Sequence, residues 1–315
     1  MSRFVSFPEN LAESRLVDSP AGRRVALYRL TGPRQGPVLL WGHANGFAAG
    51  CYAKVLTALA RHAEVFAFDA AGHGGSDSAE TDLPAFCSAD ALAADIEAIV
   101  RATRDWSGRA RPYYAAHSLC GAAILHLATS HRARFEALDL AGLMLFEPPL
   151  FPPEGHALCG AADDSQVKRL ARTSARRAEF PGGPEEFAAY LAQREMFADF
   201  PPDVLLDHAR ATLKPAGGTW RLACAPAMET EMFRTFKKVP LFLRLAEYQA
   251  PPPLGFVAGD IARAKPRGEW VTGIMDDAAA RTPGATLAVL DGRSHMMVFE
   301  DFDRSLKILR DFCGR

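Results

Sequence analysis

The sequence lacks an excess of charge of either sign. Its 315 residues include 36 lysines and arginines against 37 aspartates and glutamates, which gives a formal net charge of −1. Proteins that bind nucleic acid or an anionic membrane through charge carry a basic balance or a basic cluster. The composition therefore gives no support to a nucleic acid or a membrane surface as the partner.

Long apolar segments and closely spaced cysteines are also missing. No run approaches the roughly 18 continuous apolar residues of a membrane span, and the first twenty residues contain acids and a proline where a signal peptide needs an apolar stretch. The six cysteines are scattered without a C-x-x-C pair, which excludes an obvious disulfide framework or zinc site. We therefore expect a cytoplasmic protein with reduced thiols and no bound metal.

Buried strands that alternate with helices are the main pattern present. From Val25 onward, apolar runs such as GPVLLWGH and EVFAFD are typical of strands buried on both faces. The segment SADALAADIEAIVRATRDW is typical of a helix that Ser88 caps. This alternation predicts an α/β fold with a mostly parallel central sheet and helices on both faces.

The alternation stops between residues 151 and 245. Helix-like segments separated by proline and glycine follow one another there, with no clear buried strand. We expect residues 1–150 and 246–315 to form the α/β core and residues 151–245 to form a helical cap inserted into it. The aromatic and methionine side chains of this segment either line a pocket or pack the cap onto the core: Phe151, Tyr190, Phe197, Phe200, Met228, Met232 and Phe233.

A basic run lies in the same segment. Its pattern favours a solvated helix face, and attraction of an anionic substrate is the alternative. The run contains Lys168, Arg169, Arg172, Arg176 and Arg177.

Three residues that can carry chemistry follow predicted strands. Ser118 comes after RPYYAAH, Glu147 after LAGLMLF, and His295 shortly after ATLAVLDG. Ligands of doubly wound sheets bind beyond the carboxyl ends of the strands. A serine becomes a nucleophile when a histidine takes its proton and a carboxylate orients that histidine. The order serine, acid, histidine is the order expected on such a sheet.

The turn that carries Ser118 lacks its usual glycines. A nucleophilic serine on a strand-to-helix turn commonly has the pattern G-x-S-x-G, whereas here Ala116 and Cys120 take the glycine positions and Gly121 comes one place late. The alternative is that Ser118 only caps a helix. Because alanine and cysteine are small, we expect the tight turn to survive.

Four motifs in order make the chain resemble the α/β-hydrolase family, from about Val25 to Phe312. They are HANGF (His43–Phe47), DAAGHGGSD, AHSLCG and GRSHMMVFEDFDRSLKILRDF. The first resembles the oxyanion-loop motif of one branch of the family. The resemblance implies an α/β-hydrolase fold with a helical cap and no cofactor.

The same resemblance implies roles for individual residues. Ser118 would be the nucleophile and His295 the base. The backbone N–H groups of Leu119 and Asn45 would form the oxyanion hole, with the side-chain amide of Asn45 as a further donor. Phe47, Phe151 and Met296 would contact the substrate. Among the other histidines, we expect His43 and His73 to order loops and His117 to point into the sheet–helix packing.

The acid of the triad is open at this point. Most members of the family place it three residues after a glycine that ends the penultimate strand, and here that residue is Ala262, which has no carboxylate. Asp260 lies only one residue after Gly259. Glu147 ends an apolar strand, where an unpaired charge is costly. Glu147 is therefore the preferred acid and Asp260 the alternative.

Together these residues predict a serine hydrolase that cleaves a carboxylic ester, lactone or thioester of a small-molecule acyl substrate through an acyl-enzyme. A haloperoxidase-like perhydrolase or a carbon–carbon bond hydrolase would use the same triad. A ligand-binding, receptor-like homologue with negligible turnover is an alternative of another class.

Overall fold

A computed structural model describes residues 4–8, 10–34, 36–109, 111–248, 252–260 and 269–314. Within these residues the strands are β1 (Ala12–Ser19), β2 (Arg23–Leu30), β3 (Val38–Gly42), β4 (Glu64–Asp69), β5 (Tyr113–His117), β6 (Gly142–Phe146), β7 (Leu213–Ala216), β8 (Thr219–Leu222), β9 (Leu254–Asp260) and β10 (Thr286–Asp291). The helices are α1 (Ala53–Leu59), α2 (Leu83–Phe86), α3 (Ala89–Ser107), α4 (Leu119–Ser130), α5 (Arg132–Glu136), α6 (Cys159–Ser174), α7 (Gly183–Ala192), α8 (Pro202–Thr212), α9 (Pro226–Lys238), α10 (Leu241–Arg244), α11 (Glu269–Arg281), α12 (Met297–Glu300) and α13 (Phe302–Cys313). None of these helices is both long enough and apolar enough to cross a membrane.

Eight of the strands form one mixed sheet in the order β1-β2-β4-β3-β5-β6-β9-β10. Strands β4, β3, β5, β6, β9 and β10 run parallel to one another. Strands β1 and β2 form an antiparallel edge. The predicted mostly parallel sheet is confirmed. Strand β1 was not predicted, because its sequence AESRLVDS is largely polar. The strand is half-exposed at the edge of the sheet, where polar residues are tolerated.

Apolar side chains pack on both faces of the sheet. Along β3, Leu40 joins a cluster with helices α3 and α4, whereas its neighbours Leu39 and Trp41 join a cluster with α1 and α13. Successive residues of a strand point to opposite faces, so a strand covered on both sides reads as a continuous apolar run. The predicted helices on both faces are confirmed, and Ser88 caps α3 by accepting a hydrogen bond from the Ala91 N–H.

Residues 151–245 leave the sheet between β6 and β9. They contain helices α6 to α10, as expected, and also a hairpin of β7 and β8. Gly217 and Gly218 form its turn with φ values of 57° and 85°. These strands are short and half-exposed, so they lack the apolar run of a buried strand. The double glycine between LKPA and TWRL was the available signal, since two-residue hairpin turns need positive φ.

His208 on α8 is a polar group without a polar partner. Its ring is fully buried, and neither ring nitrogen bonds to any residue that the structure describes. It packs edge-on against Phe47 and Phe197, with ring centroids 4.5 and 5.3 Å away. Burial lowers the pKa of His208 to about 3, because a charged imidazolium would lose its hydration there.

This buried ring predicts an acid-sensitive stability. Below pH 6.5 the unfolded chain binds a proton at residue 208 that the folded protein does not, so the free energy of unfolding falls as pH decreases from 6.5 toward 3. At pH 5 this one group costs about 2 kcal/mol. Measured by denaturant unfolding, the stability of His208→Leu relative to wild type should rise by that amount between pH 7.5 and pH 5.

The control for this measurement is Phe197→Leu in the same cluster. It removes a buried ring that does not titrate, so its effect on stability should be equal at the two pH values. A constant difference between His208→Leu and wild type across this range would contradict a neutral buried ring.

Candidate active site

Ser118 occupies a strained turn between β5 and α4. Its backbone has φ 54° and ψ −113°, outside the region that a helix cap adopts, and its side chain makes no capping hydrogen bond. The Ser118 N–H donates to the Phe146 carbonyl at 2.9 Å, which ties the turn to the end of β6. The interpretation of Ser118 as only a helix cap is therefore wrong. A strained serine at a strand-to-helix turn is typical of a nucleophile elbow.

A glycine of the neighbouring strand makes room for Cys120, which takes one of the glycine positions of the motif. A Cβ on Gly42 of β3 would lie 2.5 Å from the Cβ of Cys120, so Gly42 leaves the room that Cys120 occupies. A Cβ on Gly121 would lie 3.1 Å from the Cβ of Pro148, in the segment after β6. The close contacts of the turn are thus preserved, with glycine on different sides of them.

Glu147 and His295 form the central pair of the site. The Glu147 Oε2 atom lies 2.7 Å from His295 Nδ1, and Oε1 accepts the Gly259 N–H at 2.7 Å. The Glu147 side chain is only 3% exposed, whereas that of His295 is 32% exposed. A carboxylate at Nδ1 keeps the hydrogen on that nitrogen, which leaves Nε2 free to act as a base.

The backbone of Glu147 is also strained, with φ 40°. Its N–H donates to the Val257 carbonyl of β9 at 2.9 Å, as though β6 continued for one residue. Asp260, the alternative acid, ends β9 beside Asp291 of β10 and is buried. Ala262 lies outside the described residues. The carboxylate at His295 is that of Glu147.

The loop after β3 presents backbone N–H groups beside Ser118. The side-chain amide of Asn45 donates to the Glu229 carbonyl at 2.8 Å, so it is engaged with α9. The backbone N–H groups of Asn45 and Leu119 donate to no residue within the described ranges. Both residues line one cavity with Ser118.

Two buried histidines hold this loop. His43 Nε2 accepts the Ala70 N–H at 2.8 Å, and its Nδ1 lies 2.8 Å from the Ala44 carbonyl. His73 Nε2 accepts the Gly46 N–H at 3.0 Å. Burial lowers the pKa of His43 to about 4 and that of His73 to about 3, so both rings stay neutral near pH 7. The loop-ordering role predicted for them is what these bonds provide.

A hydrogen-bonded chain joins the same loop to His295. The Ala44 N–H donates to the Tyr52 hydroxyl at 3.1 Å, and that hydroxyl lies 2.8 Å from His117 Nδ1. His117 Nε2 lies 2.9 Å from the His295 carbonyl. A carbonyl only accepts, so His117 donates from Nε2, and Tyr52 donates to Nδ1. Burial holds the pKa of His117 well below its usual value, which keeps this order of donors.

The expectation that His117 points into the sheet–helix packing is therefore wrong in part. The ring is buried, but it contacts the backbone of His295, 178 residues further along the chain. No local pattern in the sequence marks a contact of this separation.

The cavity above Ser118 is small and largely apolar. It is lined by Asn45, Ser118, Leu119, Pro149, Phe151, Met232, Phe233 and Phe236. Phe151 lines this cavity, and its contact with a substrate stays a prediction. Phe47 and Met296 are buried but do not line this cavity, so their contact with a substrate stays a prediction. Phe197 and Phe200 pack in the aromatic cluster with Phe299.

Comparison with known proteins decides the family. Residues 38–305 match the model of the alpha/beta hydrolase family. The chain belongs to this family. A search of curated proteins found no match.

Solved alpha/beta hydrolase structures share the fold at low sequence identity. E-2-(acetamidomethylene)succinate hydrolase is 20% identical, with a TM-score of 0.74 over 96% of this chain and 100% of that one. The thioesterase domain from the curacin biosynthetic pathway is 17% identical, with a TM-score of 0.71 and the same coverage. The enol-lactonase from Burkholderia xenovorans is 17% identical, with a TM-score of 0.65, again at 96% and 100% coverage.

One side-chain cluster of this hydrolase was not expected from the sequence. Asp90 Oδ1 lies 2.8 Å from His126 Nε2 and 2.7 Å from His131 Nε2, and these three groups are close enough to hold a metal ion. The spacing of these residues in the sequence does not indicate the cluster, because residues far apart in sequence meet at the end of α4. The cluster consists of two histidine rings that are hydrogen-bonded to one carboxylate. The hydrogen bonds from His131 and His126 lower the pKa of Asp90.

The Tyr52–His117 chain predicts a positioning effect on hydrolysis. Tyr52→Phe leaves the Ala44 N–H and His117 Nδ1 without partners, which should cost about 1–3 kcal/mol of stability. The freed His117 no longer fixes the His295 backbone, so kcat should fall about 10- to 100-fold with little change in KM. Steady-state kinetics measures this.

Tyr28→Phe is the matched control. The Tyr28 hydroxyl is equally buried and donates to Asp69 at 2.6 Å, away from His295. This variant should lose stability and keep kcat. Equal kcat values for the two variants would refute the positioning role of Tyr52.

Proposed function

We propose that this protein is a serine hydrolase that cleaves a carboxylic ester, lactone or thioester of a small molecule through an acyl-enzyme. The observation that carries the proposal is the contact of Glu147 Oε2 with His295 Nδ1 at 2.7 Å. This pair lies at the carboxyl ends of the parallel strands, as does Ser118 with its positive φ. A histidine fixed in this tautomer can take a proton from a serine hydroxyl. Ser118 is the nucleophile, His295 the base and Glu147 the acid of the triad.

Acylation begins when Ser118 Oγ attacks the substrate carbonyl carbon. His295 Nε2 accepts the hydroxyl proton, and Glu147 stabilises the resulting imidazolium. The carbonyl oxygen becomes an oxyanion, which the backbone N–H groups of Leu119 and Asn45 bind. When the tetrahedral intermediate collapses, the bond to the leaving group breaks and His295 returns its proton to that group.

Deacylation repeats these steps with water as the nucleophile. His295 Nε2 takes a proton from a water molecule as the water oxygen attacks the acyl carbon. Collapse of the second tetrahedral intermediate breaks the bond to Ser118 Oγ, which regains a proton from His295. The products are the free acid and the unmodified enzyme.

Residues 151–245 act as the cap of the site in this proposal. Met232, Phe233 and Phe236 of α9 cover the cavity above Ser118, so the insertion sets the volume available to the acyl group. The six cysteines are all free, which supports a reducing compartment such as the cytoplasm.

The nucleophile is tested with a fluorophosphonate probe and p-nitrophenyl esters of short acids. Wild type should be labelled once per chain and should turn over the esters. Ser118→Ala should not be labelled, and its kcat should fall by about 10⁴-fold or more. Ser174→Ala, an exposed serine of α6, is the control and should behave as wild type.

Two outcomes would contradict this proposal. A folded wild type that the probe does not label would exclude Ser118 as an activated nucleophile. Labelling or acylation without steady-state turnover would favour the receptor-like alternative.

The acid is tested by Glu147→Gln and Asp260→Asn. A glutamine can still accept the Gly259 N–H, but its amide NH₂ would face His295 Nδ1 and favour the wrong tautomer. The kcat of Glu147→Gln should fall on the order of 10³- to 10⁴-fold, while the kcat of Asp260→Asn should stay within a few-fold of the wild-type value. The reverse order of the two kcat values would move the acid to the end of β9.

A further inference from the structure

The basic run of the inserted segment contains one half-buried arginine that has no acidic partner among the described residues. Arg176 and Arg177 form ion pairs at 2.9 and 2.6 Å. Lys168 and Arg172 are exposed to solvent. Arg169 is half-buried, and it forms no hydrogen bond or ion pair with any residue in the described part of the chain. A solvated helix face, which the sequence favoured for the whole run, does not describe this side chain.

Arg169 packs on Phe233, a residue of the cavity lining, and does not itself line the cavity. Its guanidinium carbon is 5.0 Å from the centroid of the Phe233 ring, and Phe233 lines the cavity together with Ser118. Gln166, one turn earlier on α6, donates from Nε2 to the Phe233 carbonyl at 3.1 Å. This bond holds α6 on α9 at the level of the cavity.

No carboxylate of the described residues forms an ion pair with Arg169. Burial is the main influence that lowers its pKa, and Arg172 adds to it, whereas Glu147 and Glu229 oppose it. Glu229 is already paired with Arg176. A guanidinium stays charged in proteins, so a cation partly removed from water here gains from an added anion.

We propose that Arg169 binds a free carboxylate of the substrate, which makes the substrate a small ester, lactone or thioester derived from a dicarboxylic acid. This inference rests on the proposed serine hydrolase function. A guanidinium matches a carboxylate through two parallel hydrogen bonds. The residues that line the cavity are uncharged, and Arg169, which packs on Phe233 of this lining, is the cation to which we assign the carboxylate.

In this binding mode a short dicarboxylic monoester has its ester at Ser118 and its carboxylate at Arg169.

The kinetic test compares p-nitrophenyl hydrogen glutarate with the neutral p-nitrophenyl valerate, which has an acyl chain of equal length. Wild type should prefer the charged ester in kcat/KM. Arg169→Met, which keeps an apolar stem, should lower the charged-to-neutral ratio by about 10²-fold, and Arg169→Lys should lower it less. Arg172→Met, on the exposed face of the same helix, should leave the ratio as in wild type. An equal ratio in wild type and Arg169→Met would overturn the inference.

A binding test separates this inference from the proposed function. Glutarate at constant ionic strength should raise the Tm of Ser118→Ala, and Arg169→Met in that background should abolish the rise. If glutarate binds in this way and the wild type hydrolyses no ester, the hydrolase proposal is refuted and the anion site is supported. Ester hydrolysis with no glutarate effect would refute the site alone. Stabilisation by inorganic phosphate in place of glutarate would overturn the carboxylate assignment.

Discussion

The buried carboxylate of Glu147 is the group on which the rest of the site depends. A carboxylate with 3% exposure would be strongly destabilising without partners, and here each oxygen has one: the Gly259 N–H and His295 Nδ1. The first partner comes from β9, because the register of β6 against β9 continues to the Glu147 N–H. The second lies in the segment after β10. The pair therefore holds the ends of three strands together while it fixes the tautomer of His295.

His295 is held from its backbone as well as from its ring. The chain from the Ala44 N–H through Tyr52 and His117 ends at the His295 carbonyl, and each donor in it has one acceptor. Its direction follows from a single fact, that the terminal carbonyl cannot donate. The loop after β3 and His295 are thus parts of one hydrogen-bonded network. A shift of either would leave polar groups unpaired, which favours a single geometry for both.

Local patterns of the sequence were enough to predict the sheet, its helices and the residues at the strand ends. Buried parallel strands read as apolar runs, and Ser118, Glu147 and His295 were singled out because ligands of such sheets bind where those runs stop. Contacts between distant residues were not accessible in this way. His117 reaches His295 across 178 residues, and Asp90 meets the ring of His126 only after α3 and α4 pack together.

The positions of the glycines around Ser118 were also beyond the reach of a local sequence pattern. The pattern G-x-S-x-G assigns the small residues to the turn itself, whereas the packing requires only that one member of each close pair be small. In this chain Gly42 accommodates Cys120 from the neighbouring strand. Whether a departure from the motif is tolerated is therefore decided by a residue outside the motif, which a linear pattern does not include.

The inserted segment contacts the loop after β3 directly. The Glu229 carbonyl accepts the Asn45 amide, and a Cβ on Gly46 would lie 2.8 Å from the Glu229 carboxyl group. Gly46 has φ 77°, so both its backbone and its surroundings require glycine. Burial raises the pKa of Glu229, and the ion pair with Arg176 opposes this effect and keeps the carboxylate in place. The geometry of the loop is thus set in part by α9 and by the segment after α6. A change in the insertion would therefore alter the orientation of the Asn45 N–H as well as the shape of the cavity.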